Sequence, residues 1–173
     1  MLNKKEEIFV VDENNNPIES RPRDEAHSKG LWHRNSHVWI INSRDEILCQ
    51  KRSLKKDSNP GFWEPFFGGH LKPNQEYLES AVQEVNEELG LSVRKKDLTL
   101  FKIFKDRDHK EFQSIFKILW YGDISKIKFD KDEVEELKLL PISEVKDTLL
   151  TKKNYKWTII GYETEFFEWL EKG

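Results

Sequence analysis

The 173-residue sequence predicts an α/β protein of the α+β type, a mixed β-sheet sandwiched between helices. Three observations lead there. Short apolar segments come in pairs joined by polar turns, which reads as hairpins. One strongly amphipathic segment sits mid-chain, and the last third closes in helical periodicity. Strands and helices do not alternate regularly, so the hairpins argue against a fully parallel sheet.

Taken in order, residues 7–11 alternate weakly and predict a strand, with a turn at Asn14-Asn15-Asn16-Pro17. Residues 22–29 are polar, with room for one helical turn before Gly30. His37-Val-Trp-Ile-Ile41 and residues 46–52 form a hairpin about the turn Asn42-Ser43-Arg44-Asp45. Residues 53–60 are a charged loop, and 62–67 an aromatic strand leading into Gly68-Gly69. Gln75 to Leu89 is the clearest helix, with Asn74 as its expected N-cap and Gly90 as its stop. Segments 98–105 and 112–121 read as two strands joined across 106–111, and 134–140 as a short strand. Helices are expected at 143–150 and 158–171.

No repeat, low-complexity tract or linker divides the chain, so residues 1–173 read as one domain. Hydrophobic residues make up 36% and charged residues 35%, and no apolar run is long enough to span a bilayer. The N-terminal residues lack the apolar core of a secretory signal, and the single cysteine, Cys49, allows neither an internal disulfide nor a Cys-rich zinc site. A cytoplasmic protein is the expectation. A net charge of −3 gives no support for nucleic-acid binding.

The chemistry concentrates on the central helix. Leu78, Ala81, Val82, Val85 and Leu89 form one apolar stripe. Glu84, Glu87 and Glu88 stand at i, i+3 and i+4, within an arc of roughly 100° beside that stripe. Nothing basic lies between Gln75 and Leu89 to offset three like charges. A solvated acidic face is the ordinary reading. A divalent cation is the alternative, and carboxylate oxygens suit Mg²⁺ or Mn²⁺.

Gly69, Glu84, Val85, Glu87, Glu88, Gly90 and Leu91 resemble the Nudix box, G-x5-E-x7-R-E-U-x-E-E-x-G-U, at unbroken spacing over residues 69–91. Two positions depart: Gln75 stands for the box glutamate and Gln83 for the box arginine. In the family these two pair as ions, and a Gln–Gln hydrogen bond is the expected substitute here. The resemblance implies a Nudix fold and a Mg²⁺-dependent hydrolase acting on a small organic or nucleoside diphosphate. It implies metal ligation by Glu84, Glu87, Glu88 and the carbonyl of Gly69 or Gly68, with Glu84 and Glu87 catalytic. Glu84 or Glu133 would be the general base, although surface acidity is the favoured reading of Glu133.

Residues 33–70 also resemble the isopentenyl diphosphate isomerase branch of the same superfamily, which places several histidines and a glutamate around a metal. His27, His33 and His70 occupy similar places, and Arg52 and Lys56 match a diphosphate-binding stretch. Arg52, Lys56 and His70 are therefore the expected substrate contacts. The isomerase's catalytic cysteine position is Gly68 here, which disfavours isomerisation. His37 and His109 offer no case for a site, and Trp63 reads as core. An isomerase-like protein and a non-catalytic Nudix-fold ligand binder stand as the alternatives. An edge strand or the C-terminal helix offers a surface for a homodimer.

Overall fold

The computed structural model describes residues 6–151 and 156–172. The reading of the extreme N-terminus as lacking a secretory signal falls largely on residues 1–5, outside those described. Strand β3 (His33–Ile41) is central. It pairs in parallel with β8 (Glu111–Leu119), from His33↔Glu111 to Ile41↔Leu119, and antiparallel with β6 (Phe67–His70). Strand β7 (Leu98–Asp106) pairs antiparallel with β8 on its far side. Strand β1 (Glu7–Val11) meets β3 at Val10↔His33 and carries β2 (Pro17–Pro22) outside it. The β3–β4 hairpin closes at Ile41↔Ile47, after which β4 (Glu46–Arg52) leaves to pair with β5 (Trp63–Glu64) and β9 (Val134–Pro141).

Period-2 alternation along β3 divides the interior. Val38 and Ile40 pack with Ala81, Val85 and Leu89 of α2 (Tyr77–Leu89). Trp39 and Ile41 face the other way, onto Val145 and Leu149 of α3 (Ile142–Thr151) and Phe166 and Phe167 of α4 (Glu163–Glu171). The sheet is therefore sandwiched between helices, as the sequence predicts. Each fully buried side chain of these two cores contributes about 1.5–3 kcal/mol of transfer free energy. His33, Asn35 and His37 share the face of Trp39, and Asn35 and His37 line the cleft described below.

Several boundaries differ from the sequence reading. Asn74 is not the N-cap: it lies at φ 60°, and α2 begins at Tyr77 after an extended Glu76 that makes no side-chain cap. Gly90 does end the helix, left-handed at φ 64° with its N–H donating to Asn86 O at 2.8 Å. Strand β2 escaped notice because its side chains are mostly exposed and show no apolar alternation. The aromatic strand at 62–67 is two short strands, β5 and β6. The last helix starts at Glu163, because Thr158 instead donates its N–H to Trp63 O at 3.0 Å. The short helix before Gly30 is α1 (Arg23–Ser28).

Candidate active site

A cleft of about 1050 Å³ opens between α2, β6 and the loop preceding α4. Gly69, Glu84, Glu87, Glu88, His70, Arg52 and Lys56 all line it, so the residues singled out from the sequence converge. The Glu84 carboxylate lies so close over Gly69 that a Cβ there would sit 2.8 Å from Oε2. Burial, reinforced by the Glu87 charge, pushes Glu84 up to about 7. Glu88 is more deeply buried and is raised well above the carboxylate range by burial and the Glu84 charge. Its Oε2 has no hydrogen-bond partner among the described residues. A buried acceptor left unpaired beside two other carboxylates is one that a bound cation would satisfy.

The two glutamines brace the box as a directional relay. The backbone N–H of Lys72 donates to Gln75 Oε1 at 2.9 Å, and Gln75 Nε2 donates to Gln83 Oε1 at 2.8 Å. Gln83 Nε2 then donates to Glu87 Oε1, which Lys72 Nζ also approaches at 3.6 Å. The neutral amides thus replace an ion pair and deliver a donor to one of the acidic side chains.

The expected phosphate contacts are present but engaged. Arg52 donates to Glu64 Oε2 at 3.1 Å and, through Nε and Nη2, to Ser58 at 2.9 and 3.1 Å. Lys56 pairs with Glu133. Arg23, which the sequence did not single out, also lines the cleft; its buried Nε makes no hydrogen bond among the described residues and lies 3.7 Å from Glu6 Oε2. Trp63 is not a cleft residue; its indole packs on Trp157, consistent with a core role.

A second cluster lies beside the first. His27, His33, His70 and Glu111 place one ligand atom each within 4.8 Å of one another. His27 Nε2 and His70 Nε2 are 3.2 Å apart, and His33 Nε2 is 3.3 Å from Glu111 Oε1. Burial, then the neighbouring histidines, lowers His27 to about 4, so its imidazole is neutral, the form that ligates metal. Burial opposes ionisation of Glu111, but hydrogen bonds from His33 and His70 outweigh it and hold its carboxyl well below the usual range. Asn35 Oδ1 and Gln113 Oε1, both lining the same cleft, are further buried acceptors without partners. A set of imidazoles and one carboxylate suits borderline divalent metals.

The sequence reading missed Glu111 because only the parallel β3–β8 register brings it opposite His33. The sequence offered no case for a site at His37 or His109; both line the cleft, and His109 Nδ1 is hydrogen-bonded to Asp106 Oδ2 at 2.8 Å. Gly68, where the isomerase branch has its cysteine, cannot hold a side chain on this backbone. A Cβ there would lie 1.8 Å from Ser36 O.

Fold and site together define an α/β sandwich whose glycine-rich strand feeds an acidic helix at the edge of a polar cleft. The chain belongs to the Nudix family, a hydrolase family: residues 31–159 match the NUDIX domain. A Nudix hydrolase of Clostridium acetobutylicum is 29% identical over 151 residues, covering 82% of this chain and 73% of that protein. The isopentenyl-diphosphate Δ-isomerase of Pectobacterium atrosepticum is 39% identical over 85 residues, 49% of this chain and 48% of that enzyme, so the match spans about half of that relative. The crystal structure of DR0079 from Deinococcus radiodurans shares the fold at a TM-score of 0.74 and 17% identity, over 93% of this chain and 96% of that one. Among the described residues, no helix is long and apolar enough to cross a membrane.

Proposed function

We propose that this protein is a Mg²⁺-dependent hydrolase cleaving the diphosphate linkage of a small organic or nucleoside diphosphate. The observation that carries this reading is the buried Glu88 Oε2, without a hydrogen bond among the described residues, in the same cleft as Glu87 and as Glu84, whose carboxylate lies over Gly69. Glu84, Glu87, Glu88 and the Gly69 carbonyl would hold the cation, which when bound offsets charge on the phosphate oxygens. Lys56 and Arg23 orient the diphosphate, with Arg52 holding the loop around it. Glu84 takes the proton of the attacking water. His70 sits where it can contact either the substrate or an ion held by the histidine cluster.

That cluster favours a second reading, an isomerase-like protein, because it is the kind of site that branch uses. The backbone at Gly68 weighs against it, since no cysteine fits there. The test is phosphate or diphosphate release across nucleoside triphosphates, dinucleotides, sugar nucleotides and isopentenyl diphosphate, with Mg²⁺ and with chelator. Release from one class that chelator abolishes is the expected result. Silence across the panel contradicts the reading.

Metal binding should also be visible in stability. Glu84 and Glu88 have folded-state pKa values above their unfolded values, so in the metal-free protein their ionisation costs stability as pH rises above about 4.5, for Glu84 through about 7. Mg²⁺ stabilises the ionised forms and competes with protons at lower pH. At one hundred times its dissociation constant, a ligand adds about 2.7 kcal/mol, or about 5–10 °C in melting temperature for a chain of this size. We expect that gain at pH 8 and little of it at pH 5. Equal gains at both pH values would place the cation elsewhere.

The relay makes a further prediction. Gln75→Glu alone would accept from Gln83 Nε2 and turn Gln83 Oε1 toward Glu87, lowering kcat by about three- to tenfold. Gln83→Arg alone should bring no gain, whereas the double change restores a charged brace and turnover with it. Equal kcat in the single and double variants would show that the relay does not position Glu87.

A further inference from the structure

The cleft extends past the metal-ligand side chains into a compartment walled by Phe66, Leu149, Trp157 and Ile160. Its floor includes one imidazole with no assigned task. His37 is 5% exposed, lines the cleft and stacks on Phe66 with ring centroids 3.9 Å apart.

Its hydrogen bonds fix where its proton sits. Trp39 Nε1 can only donate, and it donates to the buried Tyr162 hydroxyl oxygen at 3.3 Å. The Tyr162 hydroxyl proton then has one acceptor among the described residues, His37 Nδ1 at 2.8 Å. The reverse arrangement, with Nδ1–H donating, would leave a buried hydroxyl proton unpaired. Nδ1 is therefore the acceptor and Nε2 carries the hydrogen. Among the described residues Nε2 has no hydrogen-bond partner, and His37 lines the cleft.

We propose that His37 is a specificity-determining residue, a neutral Nε2–H donor held by Tyr162 that selects diphosphates whose organic moiety carries an oxygen or nitrogen acceptor. The assignment rests on the diphosphate reading of the cleft. Burial lowers the His37 imidazole to about 4, so it stays uncharged near neutrality and adds no cation to attract phosphate. In the β3–β6 pairing His37 lies opposite Gly68, next to the Ser36↔Gly69 pair. Gly69 and His37 line the same cleft, so a diphosphate held at Gly69 shares that cleft with the imidazole. A saturated or alkenyl chain would leave Nε2–H dry and unpaired, which is how a site built to hydrogen-bond rejects a ligand lacking the partner.

The test uses the full chain with Mg²⁺ and non-hydrolysable α,β-methylene analogues of ADP, UDP and isopentenyl diphosphate, with Kd from calorimetry. Wild type should bind at least one nucleoside analogue more tightly than the isopentenyl analogue. His37→Phe keeps the stack on Phe66 and should weaken that nucleoside analogue about tenfold, with the isopentenyl analogue changed less than about twofold. Tyr162→Phe should weaken the same nucleoside analogue while retaining the imidazole. In wild type, ¹⁵N NMR of His37 should show an unprotonated Nδ1 and a protonated Nε2, and this readout needs no variant to fold. A protonated Nδ1, or equal effects of His37→Phe on both ligand types, overturns the assignment while leaving the diphosphate reading intact. Failure of wild type to bind any of the three analogues overturns both.

Discussion

Glu87→Gln is expected to lower turnover by about 10²–10³-fold, the usual cost of removing one group that stabilises charge on the reacting oxygens. The fold should not change. Glu87 is the exposed member of the triad, its side chain 53% accessible, and its polar contacts among the described residues are with Lys72 and the end of the glutamine relay. A surface change of this kind moves stability by no more than about 0.5 kcal/mol, or about 2 °C. Steady-state kinetics over a range of Mg²⁺ concentrations and a melting curve check both halves. Near-wild-type turnover with unchanged Mg²⁺ dependence would remove Glu87 from the metal site.

The adjacent glycines should fail in different ways when each is changed to alanine. At Gly68 the new Cβ meets the Ser36 carbonyl oxygen at 1.8 Å, backbone against backbone in the β3–β6 ladder. Nothing flexible can yield, so Gly68→Ala should cost about 3 kcal/mol or more and lower the melting temperature by about 6–12 °C. At Gly69 the new Cβ meets only the end of the Glu84 side chain. Glu84 can swing aside, so Gly69→Ala should melt close to wild type yet lose turnover about a hundredfold through displacement of that carboxylate. Denaturation and kinetics on both variants decide the matter. Loss of activity without loss of stability at Gly68, or the reverse at Gly69, would contradict this description of the strand.

The carboxylate arc was readable in the sequence because it is local. Helical spacing alone puts Glu84, Glu87 and Glu88 on one side, and the gap-free distance back to Gly69 carries the family resemblance. The Gln75–Gln83 bond was readable for the same reason, since both residues belong to one motif. What the sequence hid is non-local or unpatterned. Glu111 joins the histidines only through a parallel strand pair that closes 78 residues of chain, from His33 to Glu111. His37 looked like one more apolar-strand residue, and the hydrogen bond that fixes its imidazole comes from Tyr162, 125 residues away. Asn74 satisfied the residue preference of an N-cap, but the turn after Pro73 takes it left-handed and delays the helix to Tyr77. The polar edge strand β2 has no buried face to announce it. The element order, the hairpins about 42–45 and 106–111, and the two helical layers follow from periodicity and turn chemistry, which act over a few residues.

The most direct test of the central claim is turnover of a diphosphate substrate in H₂¹⁸O with Mg²⁺, with products read by mass spectrometry. Attack of water at phosphorus predicts one ¹⁸O in a phosphate product, formed by wild type and lost with chelator and in Glu87→Gln. Products without label, or isopentenyl diphosphate returned with its double bond moved and no phosphate released, would contradict hydrolysis at this site.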